Sequence, residues 1–592
     1  MDSVDLKKSN MNWGQFFPFL NWLPTLTRDT LKADLIAGLT VALVAIPQSL
    51  AYAQLAGVPA YYGLYASLLP VIIGSLMGSS PVLSTGPVAM TSLLTAASVM
   101  TLAAYGTDQF YTYVILMALL SGLIQIALGV GRMGVLINFL SYPVLRGFIN
   151  AAAIIIGLSQ LPSMLGLKLK NSTHFLSDIF HVIEHAFQMH TLSFIFGISS
   201  LTLLILMKKF TPKLPGVLIV VIVATTASYF LGFEAKGGTV VGIIPQGLPS
   251  FSVPEVNWVA SMHMLPAAFV IAIISFMEAM SSSKIIAIKT RTRWDENQEL
   301  IGQGLAKVVA AFSHSMPVSG SFSRSALNLA TGAKTGMASV FSALLVLITL
   351  LFFTPLLHHL PKPVLASVIM MAVFSLIDFK TIKDAWTAHK SDGIAAIVTF
   401  IATLAFAPNI QNGILTGIIL SLILFLMRTM KPRIVILGED ENGILRSARS
   451  HNLPKLSSKV TTIRFDGQLY FANVNYFEES VLYLVSHDPD LKAILVVGDA
   501  INGIDSSGVE MLKNLLERLE QSGITLAFCN LKAPVQAVID RTVLKEMILP
   551  KNIFYTVRSG LKALDDRFSE PAEAAEPEKD KPEENKIKSE ET

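Results

Sequence analysis

Residues 318–332 read VSGSFSRSALNLATG, a short polar stretch between segments that are apolar enough for a lipid bilayer. Its Ser and Gly residues break the apolar pattern, and an arginine, Arg324, follows them. An arginine at the centre of a bilayer costs about 2.5–3.5 kcal/mol on insertion scales. The stretch therefore predicts a helix that begins inside the membrane and holds Arg324 in the protein interior. In the alternative interpretation, Arg324 extends to the membrane surface and the Ser/Gly stretch is an ordinary loop.

The composition of the whole chain agrees with a membrane protein. Of its 592 residues, 52% are hydrophobic and only 15% are charged, whereas soluble domains carry about a quarter charged residues. The net charge of +3 gives no reason to expect nucleic-acid binding. A single cysteine, Cys529, excludes an intrachain disulfide framework and a cysteine-based metal site. We expect no metal and no cofactor.

The apolar region divides into about fourteen segments. The third, ninth and tenth are too short to cross a hydrocarbon core of about 30 Å alone, and the polar, amphipathic residues 171–190 are expected to lie at the interface. The segments begin near Ala33, Tyr61, Pro87, Tyr111, Val135, Leu192, Gly216, Leu265, Leu300, Arg324, Met337, Pro363, Gly393 and Ile414.

The positions of Lys and Arg give the orientation. An even number of crossings puts both chain ends on one side, and most Lys and Arg residues fall on joints of that side. The opposite joints carry only Lys168, Lys170, Lys236 and Lys362. Because cytoplasmic loops carry the excess of Lys and Arg, both termini are expected in the cytoplasm, with the chain in an inner (plasma) membrane.

Changes in composition mark five regions. They are a cytoplasmic N-terminal segment at 1–32, a transmembrane domain at 33–430, a link at 431–458, a soluble domain at 459–567 and a charged, disordered tail at 568–592. In the soluble domain, strand-like and helix-like stretches alternate, which predicts a small α/β domain.

Two broken segments occupy matching places in two blocks of seven. The third segment has an extended lead at 81–85, with Gly86 and Pro87 at the helix start, where proline is well suited to the first position. The tenth has an extended lead at 316–321. Because seven crossings is an odd number, the two blocks must be inverted. We therefore predict a 7+7 inverted repeat. A pair of interrupted segments at matching positions of two such repeats indicates the binding site of a transporter.

Two half-helices that meet at their N-termini form an anion site, because each end presents free N–H groups and about half a positive charge. With Arg324, the total is on the order of +2, which suits a small oxyanion.

Three further polar residues of the apolar segments are candidates for a functional role. Glu278 is near the middle of the eighth segment, where a carboxyl group is functional by default. Burial disfavours the charged form of this carboxyl group, so Glu278 is a candidate for coupling anion transport to protons. In the alternative interpretations, Glu278 is a helix-end carboxylate paired with Lys284, or it is part of a cation site. Gln48 and Tyr52 follow a predicted break at Pro47 and share one helix face. They are candidates to bind the anion, or else a polar pair between helices.

The soluble domain contains one distinctive turn, GIDSSG at 503–508, between a strand and a helix. Asp505 or Ser506 is suited to cap that helix, and a regulatory phosphoserine or ligand role for the turn is the alternative. The domain lacks the glycine pattern of a nucleotide site.

Residues 38–90, GLTVALVAIPQSLAYAQLAGVPAYYGLYASLLPVIIGSLMGSSPVLSTGPVAM, resemble the SulP (sulfate permease) family of anion transporters. SFSRSALN at 321–328 resembles the Ser-x-Ser-Arg-Ser of that family's tenth segment, and GIDSSGVEML at 503–512 resembles the turn of a STAS domain. The resemblance covers roughly residues 15 to 565.

The resemblance implies core and gate domains, a homodimer, and an anion bound between the third and tenth half-helices. It implies that Glu278 is the coupling residue; some family members have aspartate at this position and are sodium-coupled. It also implies that Ser506 corresponds to the serine that is phosphorylated in related bacterial antisigma antagonists. The residues expected to line the anion site are Gln48, Tyr52, Val88, Ala89, Phe322, Ser323 and Arg324.

The expected function is therefore secondary active transport, not catalysis. Sulfate with proton symport is the first hypothesis, and bicarbonate with sodium symport or chloride exchange is the second. A non-transporting anion sensor that signals through the STAS domain is the rival class. Besides anion, proton and lipid, a second copy of the chain and a STAS-binding protein are the expected partners.

Overall fold

The computed structural model describes residues 13–134, 141–167, 175–211, 214–548 and 550–569. The start of the N-terminal segment, Lys168 and Lys170, and the predicted disordered tail beyond residue 569 lie outside the described residues. The chain divides into two compact units, Met1–Leu422 and Ile423–Thr592, which are described separately below.

All fourteen predicted segments of the first unit are helical where they are described. Eight of these helices (α1, α4, α5, α6, α8, α11, α12 and α14) are long and apolar enough to cross a membrane. The polar residues 171–190, described from Phe175, contain a helix at Phe175–Glu184. The segments are α1 Arg28–Ala56, α2 Tyr61–Met77, α3 Ala89–Val99, α4 Asp108–Val130, α5 Tyr142–Leu165, α6 Thr191–Phe210, α7 Gly216–Leu231, α8 Trp258–Thr290, α9 Glu296–Phe312, α10 Phe322–Ala330, α11 Met337–Leu357, α12 Lys362–Ala388, α13 Lys390–Phe406 and α14 Ile410–Met430.

The packing of these helices repeats after seven segments, which confirms the inverted repeat. Helix α1 packs on α11, and its counterpart α8 packs on α4; α5 packs on α13, and its counterpart α12 packs on α6. The most extensive contacts lie within a core group, α1–α4 with α8–α11, and within a gate group, α5–α7 with α12–α14. Glycines permit the closest crossings: a Cβ on Gly38 of α1 would lie 2.3 Å from the Ala338 oxygen of α11.

Two local predictions about prolines are wrong. Helix α1 does not break at Pro47 but continues through it from Arg28 to Ala56. A proline removes one backbone hydrogen bond, and neighbouring helices make such a loss tolerable in a membrane helix. Pro87 is not the first residue of its helix either: the backbone remains extended through Val88 (φ −140°, ψ 152°), and α3 begins at Ala89.

The second unit is an α/β domain, as the sequence predicts. After the short strands β1 (Thr85–Gly86) and β2 (Ser319–Gly320) of the first unit, its strands are β3 Ile434–Glu439, β4 Leu445–Ser447, β5 Val460–Phe465, β6 Ala493–Val497, β7 Thr525–Cys529 and β8 Ile553–Phe554. They form one sheet in the order β4-β3-β5-β6-β7-β8, and β5 to β8 are parallel. Its longer helices are α15 Val474–His487, α16 Ser506–Gln521, α17 Ala533–Asp540 and α18 Val557–Ser569.

The prediction of a link over residues 431–458 needs correction. Strands β3 and β4 lie in this stretch, and β3 pairs antiparallel with β5. Val435 and Leu437 of β3 are buried in one of the two apolar cores that cover the sheet. The charged and Gly-containing residues between β3 and β4 form the turn of a hairpin, and their composition alone resembles that of a link.

Candidate functional site

The two extended leads meet in the interior of the first unit. Strand β1 pairs antiparallel with β2, so that Thr85 lies opposite Gly320 and Gly86 lies opposite Ser319. Helices α3 and α10 begin within three residues of the ends of these strands. Both helix N-termini therefore lie close to one short ladder, in the part of the core group where α1, α3, α8 and α10 are in contact.

Hydrogen bonds made by the N-cap residue of α10 and by side chains of α10 reinforce this ladder. The Ser321 N–H donates to the Ser84 carbonyl oxygen at 2.8 Å, and the Ser84 N–H donates to the Ser325 hydroxyl oxygen at 2.8 Å. The Asn328 amide donates to the Val82 carbonyl oxygen at 3.0 Å. One face of α10, which carries Arg324, Ser325 and Asn328, is thereby fastened to the strand that leads into α3.

Arg324 connects the two half-helices directly. Its side chain is buried, and Nη1 donates to the carbonyl oxygen of Pro87 at 2.9 Å. Among the described residues, the buried Nη2 has no hydrogen-bond partner. A buried donor without an acceptor is costly, so this nitrogen is available to a ligand that carries an acceptor atom.

The starts of the two helices differ in their capping. Ser321 caps α10 by accepting from the Arg324 N–H at 3.4 Å, whereas Val88 gives α3 no side-chain cap. The first N–H groups of a helix need an acceptor from outside it, and they carry about half a positive charge. The start of α3 is therefore suited to an anionic ligand beside the Arg324 guanidinium.

The sequence-predicted residues lie in different positions around this point. Tyr52 is buried and within electrostatic reach of both Arg324 and Glu278. Gln48, one turn earlier in α1, is buried with no partner for Oε1 in the part of the chain that the structure describes.

The residues at the two helix starts differ in exposure. Val88 and Ala89 are buried at the start of α3, whereas the first two residues of α10 are exposed; Phe322 is 57% exposed. The structure thus brings Tyr52, Glu278 and Arg324 together, whereas Phe322 and Ser323 are exposed at the start of α10.

Glu278 of α8 lies next to strand β2 of the ladder. The Ser319 hydroxyl lies 3.1 Å from Glu278 Oε2 and 2.7 Å from the Ser275 carbonyl oxygen. A hydroxyl has one proton to donate, so it can serve only one of these two acceptors at a time. When it serves Ser275, the contact with Glu278 is satisfied only if the carboxyl group carries the proton.

Lys307, a buried lysine that lies near Glu278, is not among the site residues predicted from the sequence. Lys307 of α9 is fully buried, and its Nζ donates to Gln125 Oε1 of α4 at 2.8 Å and to Ser275 Oγ of α8 at 2.7 Å. It is close enough to Glu278 to attract it electrostatically. One sequence feature could have identified Lys307: it lies inside the apolar stretch LAKVVAAF at 305–312, where a charged residue is as unusual as Glu278 is in α8.

The family is decided by a match along the transmembrane part of the chain. Residues 31–399 match the family model described as "Sulfate permease family". The chain belongs to the sulfate permease family. Residues 454–560 match the STAS domain model, so both parts of the resemblance seen in the sequence are confirmed.

Similar proteins agree with this assignment. The chain is 32% identical over 584 residues to "Probable sulfate transporter 4.2" of Arabidopsis thaliana, covering 95% of this chain and 85% of that protein. Its fold is similar to the inward-facing structure of the murine anion transporter Slc26a9, with a TM-score of 0.86 and 23% identity over 95% and 96% of the two chains. The transmembrane domain of the cyanobacterial bicarbonate transporter BicA gives a TM-score of 0.57 at 22% identity, over 67% of this chain and 98% of that one.

Two further carboxylates of this sulfate permease family member anchor its broken segments. Glu299 Oε1 accepts from Gln303 Nε2 at 2.9 Å, and the same amide nitrogen lies 2.9 Å from Thr85 Oγ1 in β1. Asp34 of α1 is buried and accepts from the Thr335 N–H at 3.1 Å, just after α10. Both carboxylates accept hydrogen bonds from the protein. Glu299 and Asp34 therefore position the helices that carry the candidate site.

The STAS turn is built around Asp505. Asp505 Oδ1 accepts from the Gly508 N–H at 2.8 Å and caps α16, and Oδ2 accepts from the Phe471 N–H at 2.9 Å. Ser506, the first residue of α16, is exposed. Asp505 thus has a structural role, and Ser506 is accessible for modification.

Proposed function

We propose that this sulfate permease family member is a secondary active transporter of a small inorganic oxyanion. One observation carries the proposal: Arg324 Nη2 is buried without a partner among the residues described, beside the uncapped start of α3. The guanidinium and two helix N-termini together supply on the order of +2 charge. Gln48, Tyr52, Val88, Ala89, Phe322 and Ser323 are proposed to line the rest of the anion site.

Sulfate is the proposed substrate. A dianion balances this positive charge better than a monoanion does, and a relative that shares 32% identity over most of both chains is named a sulfate transporter. The likeness to the bicarbonate transporter, at 22% identity, supports the fold alone. Bicarbonate therefore remains the second hypothesis.

Proton symport through Glu278 is the proposed coupling. The Ser319 hydroxyl cannot donate to Ser275 and Glu278 at once, so the site can be completed by a proton on the carboxyl group. A neutral Glu278 beside Arg324 leaves the positive charge free for the anion, whereas an ionised one competes with it. Proton and anion are therefore expected to bind together.

The wider arrangement is also proposed. Transport would move the core group relative to the gate group, in a homodimer in the inner (plasma) membrane with both termini in the cytoplasm. The STAS domain would bind a regulatory partner or accept a phosphate at Ser506, in the turn that Asp505 fixes.

The test is radiolabelled uptake into proteoliposomes with a competition panel of small anions, at two pH values, with and without sodium. We expect sulfate to be the best competitor, with uptake driven by inward proton movement and indifferent to sodium. A requirement for sodium, with bicarbonate as the best competitor, would support the second hypothesis instead. Anion binding without flux of any tested anion would favour the sensor.

A further inference from the structure

Three potential metal ligands meet at the ends of α7 and α11. Glu234 follows α7, and the adjacent residues His358 and His359 follow α11. Glu234 Oε2 lies 3.3 Å from His358 Nε2 and 4.0 Å from His359 Nδ1. All three ligand atoms lie within 4.8 Å of one another.

Backbone hydrogen bonds hold the two stretches side by side. The chain after α7 runs along the chain after α11, with an isolated bridge between Val240 and Pro361. The bonds are Val241 N–H to Leu360 O at 2.9 Å, Gly242 N–H to His358 O at 3.2 Å and Lys362 N–H to Thr239 O at 3.0 Å. The proximity of Glu234 to the two histidines therefore results from fixed backbone and not from side-chain reach alone.

Packing fixes the neighbours of the ligands as well. Phe233, which precedes Glu234, is fully buried, and its ring centroid lies 4.9 Å from that of Phe196. The ring of Tyr229 contacts the ring of His359 edge-on, with the centroids 5.1 Å apart. Both sides of the cluster are thus positioned before any ion binds.

We propose that Glu234, His358 and His359 bind one Zn²⁺ ion, or a similar divalent transition-metal ion, with a fourth position open to water. Ligand atoms at about 2.0–2.1 Å from a tetrahedral zinc lie about 3.3–3.4 Å apart. The 3.3 Å separation matches that distance, and the 4.0 Å separation closes by a small ring rotation. Two imidazoles and one carboxylate favour Zn²⁺, Cu²⁺ or Ni²⁺ over Mg²⁺ and Ca²⁺.

The site is open to solvent on the side opposite to the predicted cytoplasmic termini. The exposed fractions of the side chains are 29% for His358, 36% for His359 and 52% for Glu234, so an ion can reach all three. Glu234 lies in the stretch that follows α7 and the two histidines in the stretch that follows α11, so a bound ion bridges these two connecting stretches.

A second histidine cluster provides the matched control. His181, Glu184 and His185 lie on the helix Phe175–Glu184 and just after it, also with ligand atoms within 4.8 Å. There, His185 Nδ1 is already in contact with the His181 carbonyl oxygen at 2.9 Å. All three potential ligands of this cluster belong to one local segment of the chain.

The test is a calorimetric Zn²⁺ titration of the purified full-length chain, with Co²⁺ absorption to report tetrahedral geometry. Wild type and H181Q/H185Q are expected to bind one ion with equal affinity at the bridging site. H358Q/H359Q should weaken that binding by at least about 100-fold, because even outer-shell partners of a metal are worth about 10- to 100-fold. Equal affinity in wild type and H358Q/H359Q would overturn the proposal.

Hydrogen exchange distinguishes an ion bound by both connecting stretches from an ion bound by the histidines alone. Zn²⁺ should slow hydrogen exchange at both 239–242 and 358–362 in wild type and in the control H181Q/H185Q, but not in E234Q. Slowing confined to 358–362 in wild type would show that the histidines bind the ion without Glu234, and it would overturn the bridge. Neither readout depends on transport, so failure here is distinguishable from failure of the proposed function.

Discussion

Arg324 Nη1 donates a hydrogen bond of 2.9 Å to the carbonyl oxygen of Pro87. The two residues are 237 positions apart and stand at the starts of the two half-helices. One edge of the guanidinium therefore joins the two repeats, while Nη2 is buried without a partner among the described residues. In the proposed function, the arginine both holds the two half-helices together and supplies a binding atom.

The first prediction concerns the backbone beside this arginine. A Cβ on Gly86 would lie 2.9 Å from Arg324 Nη2, and φ at this glycine is +151°. Gly86→Ala should displace the guanidinium and reduce sulfate uptake by about tenfold or more, the equivalent of about 1.4 kcal/mol. Uptake is compared at equal amounts of folded protein, because such a backbone strain costs about 1–3 kcal/mol.

Gly332→Ala is the matched control for Gly86→Ala. Gly332 also has a positive φ, +89°, but a Cβ added to it would have no atom of the described residues within 4 Å. This variant should lose stability through backbone strain and retain uptake per folded molecule. If both variants transport equally well, the close approach of Gly86 to Arg324 has no role in the site.

The second prediction concerns coupling. Glu278→Gln keeps the shape of the side chain and removes its ability to exchange a proton, so uptake should stop responding to an imposed pH gradient. Glu299→Gln is the control, since Glu299 is a buried carboxylate held by Gln303 and Ser80. Gradient-driven uptake that persists in Glu278→Gln would remove Glu278 from the coupling mechanism.

The third prediction concerns the buried lysine. Lys307→Met should lower the thermal unfolding temperature, because Gln125 Oε1 loses its donor at a cost of about 1–3 kcal/mol. Gln125→Leu combined with Lys307→Met should recover part of that loss, since position 125 then has no buried acceptor that lacks a donor. A double variant whose loss equals the sum of the two single losses would show that the pair is not energetically linked.

The fourth prediction uses the single cysteine as a reporter of STAS unfolding. Cys529 is buried in β7, and burial, aided by the negative charge of Asp499, raises the pKa of its thiol to about 12. The folded domain should therefore resist thiol reagents at pH 8 and react only when it unfolds.

The same shift has a consequence for stability. Because the unfolded thiol ionises at lower pH than the folded one, its contribution to the stability of the fold is complete below about pH 8.5 and decreases as the pH rises toward 12. Denaturant titrations of wild type and Cys529→Ala measure this: the difference between them should change only in alkaline solution. Rapid labelling of folded wild type at pH 8 would contradict the assigned burial.

Local features of the sequence are sufficient to predict much of the fold and to single out residues of the candidate site. Long apolar runs define the helices, and Gly and Ser within such a run reveal the start of α10. Arg324 and Glu278 are conspicuous for the same reason, because each interrupts an apolar segment. The inverted repeat follows from the matching positions of the extended leads at 81–85 and 316–321.

Features that depend on distant pairing are not predictable in this way. The bond from Lys307 to Gln125 spans 182 positions, and nothing near either residue indicates the other. The stretch that contains β3 resembles a link because charged and Gly-containing residues follow this short apolar strand, and nothing local indicates its pairing with β5. Pro47 resembles a break because local propensity ignores the helices that pack around α1.

The central claim is tested most directly by the concentration dependence of radiolabelled sulfate uptake into proteoliposomes, in wild type and in Arg324→Ala. We predict saturable uptake by wild type and a half-saturating concentration at least about tenfold higher in the variant, since a hydrogen bond to a charged group is worth about 1.5–3 kcal/mol. An unchanged half-saturating concentration in Arg324→Ala, or no uptake of any small oxyanion by wild type, would contradict it.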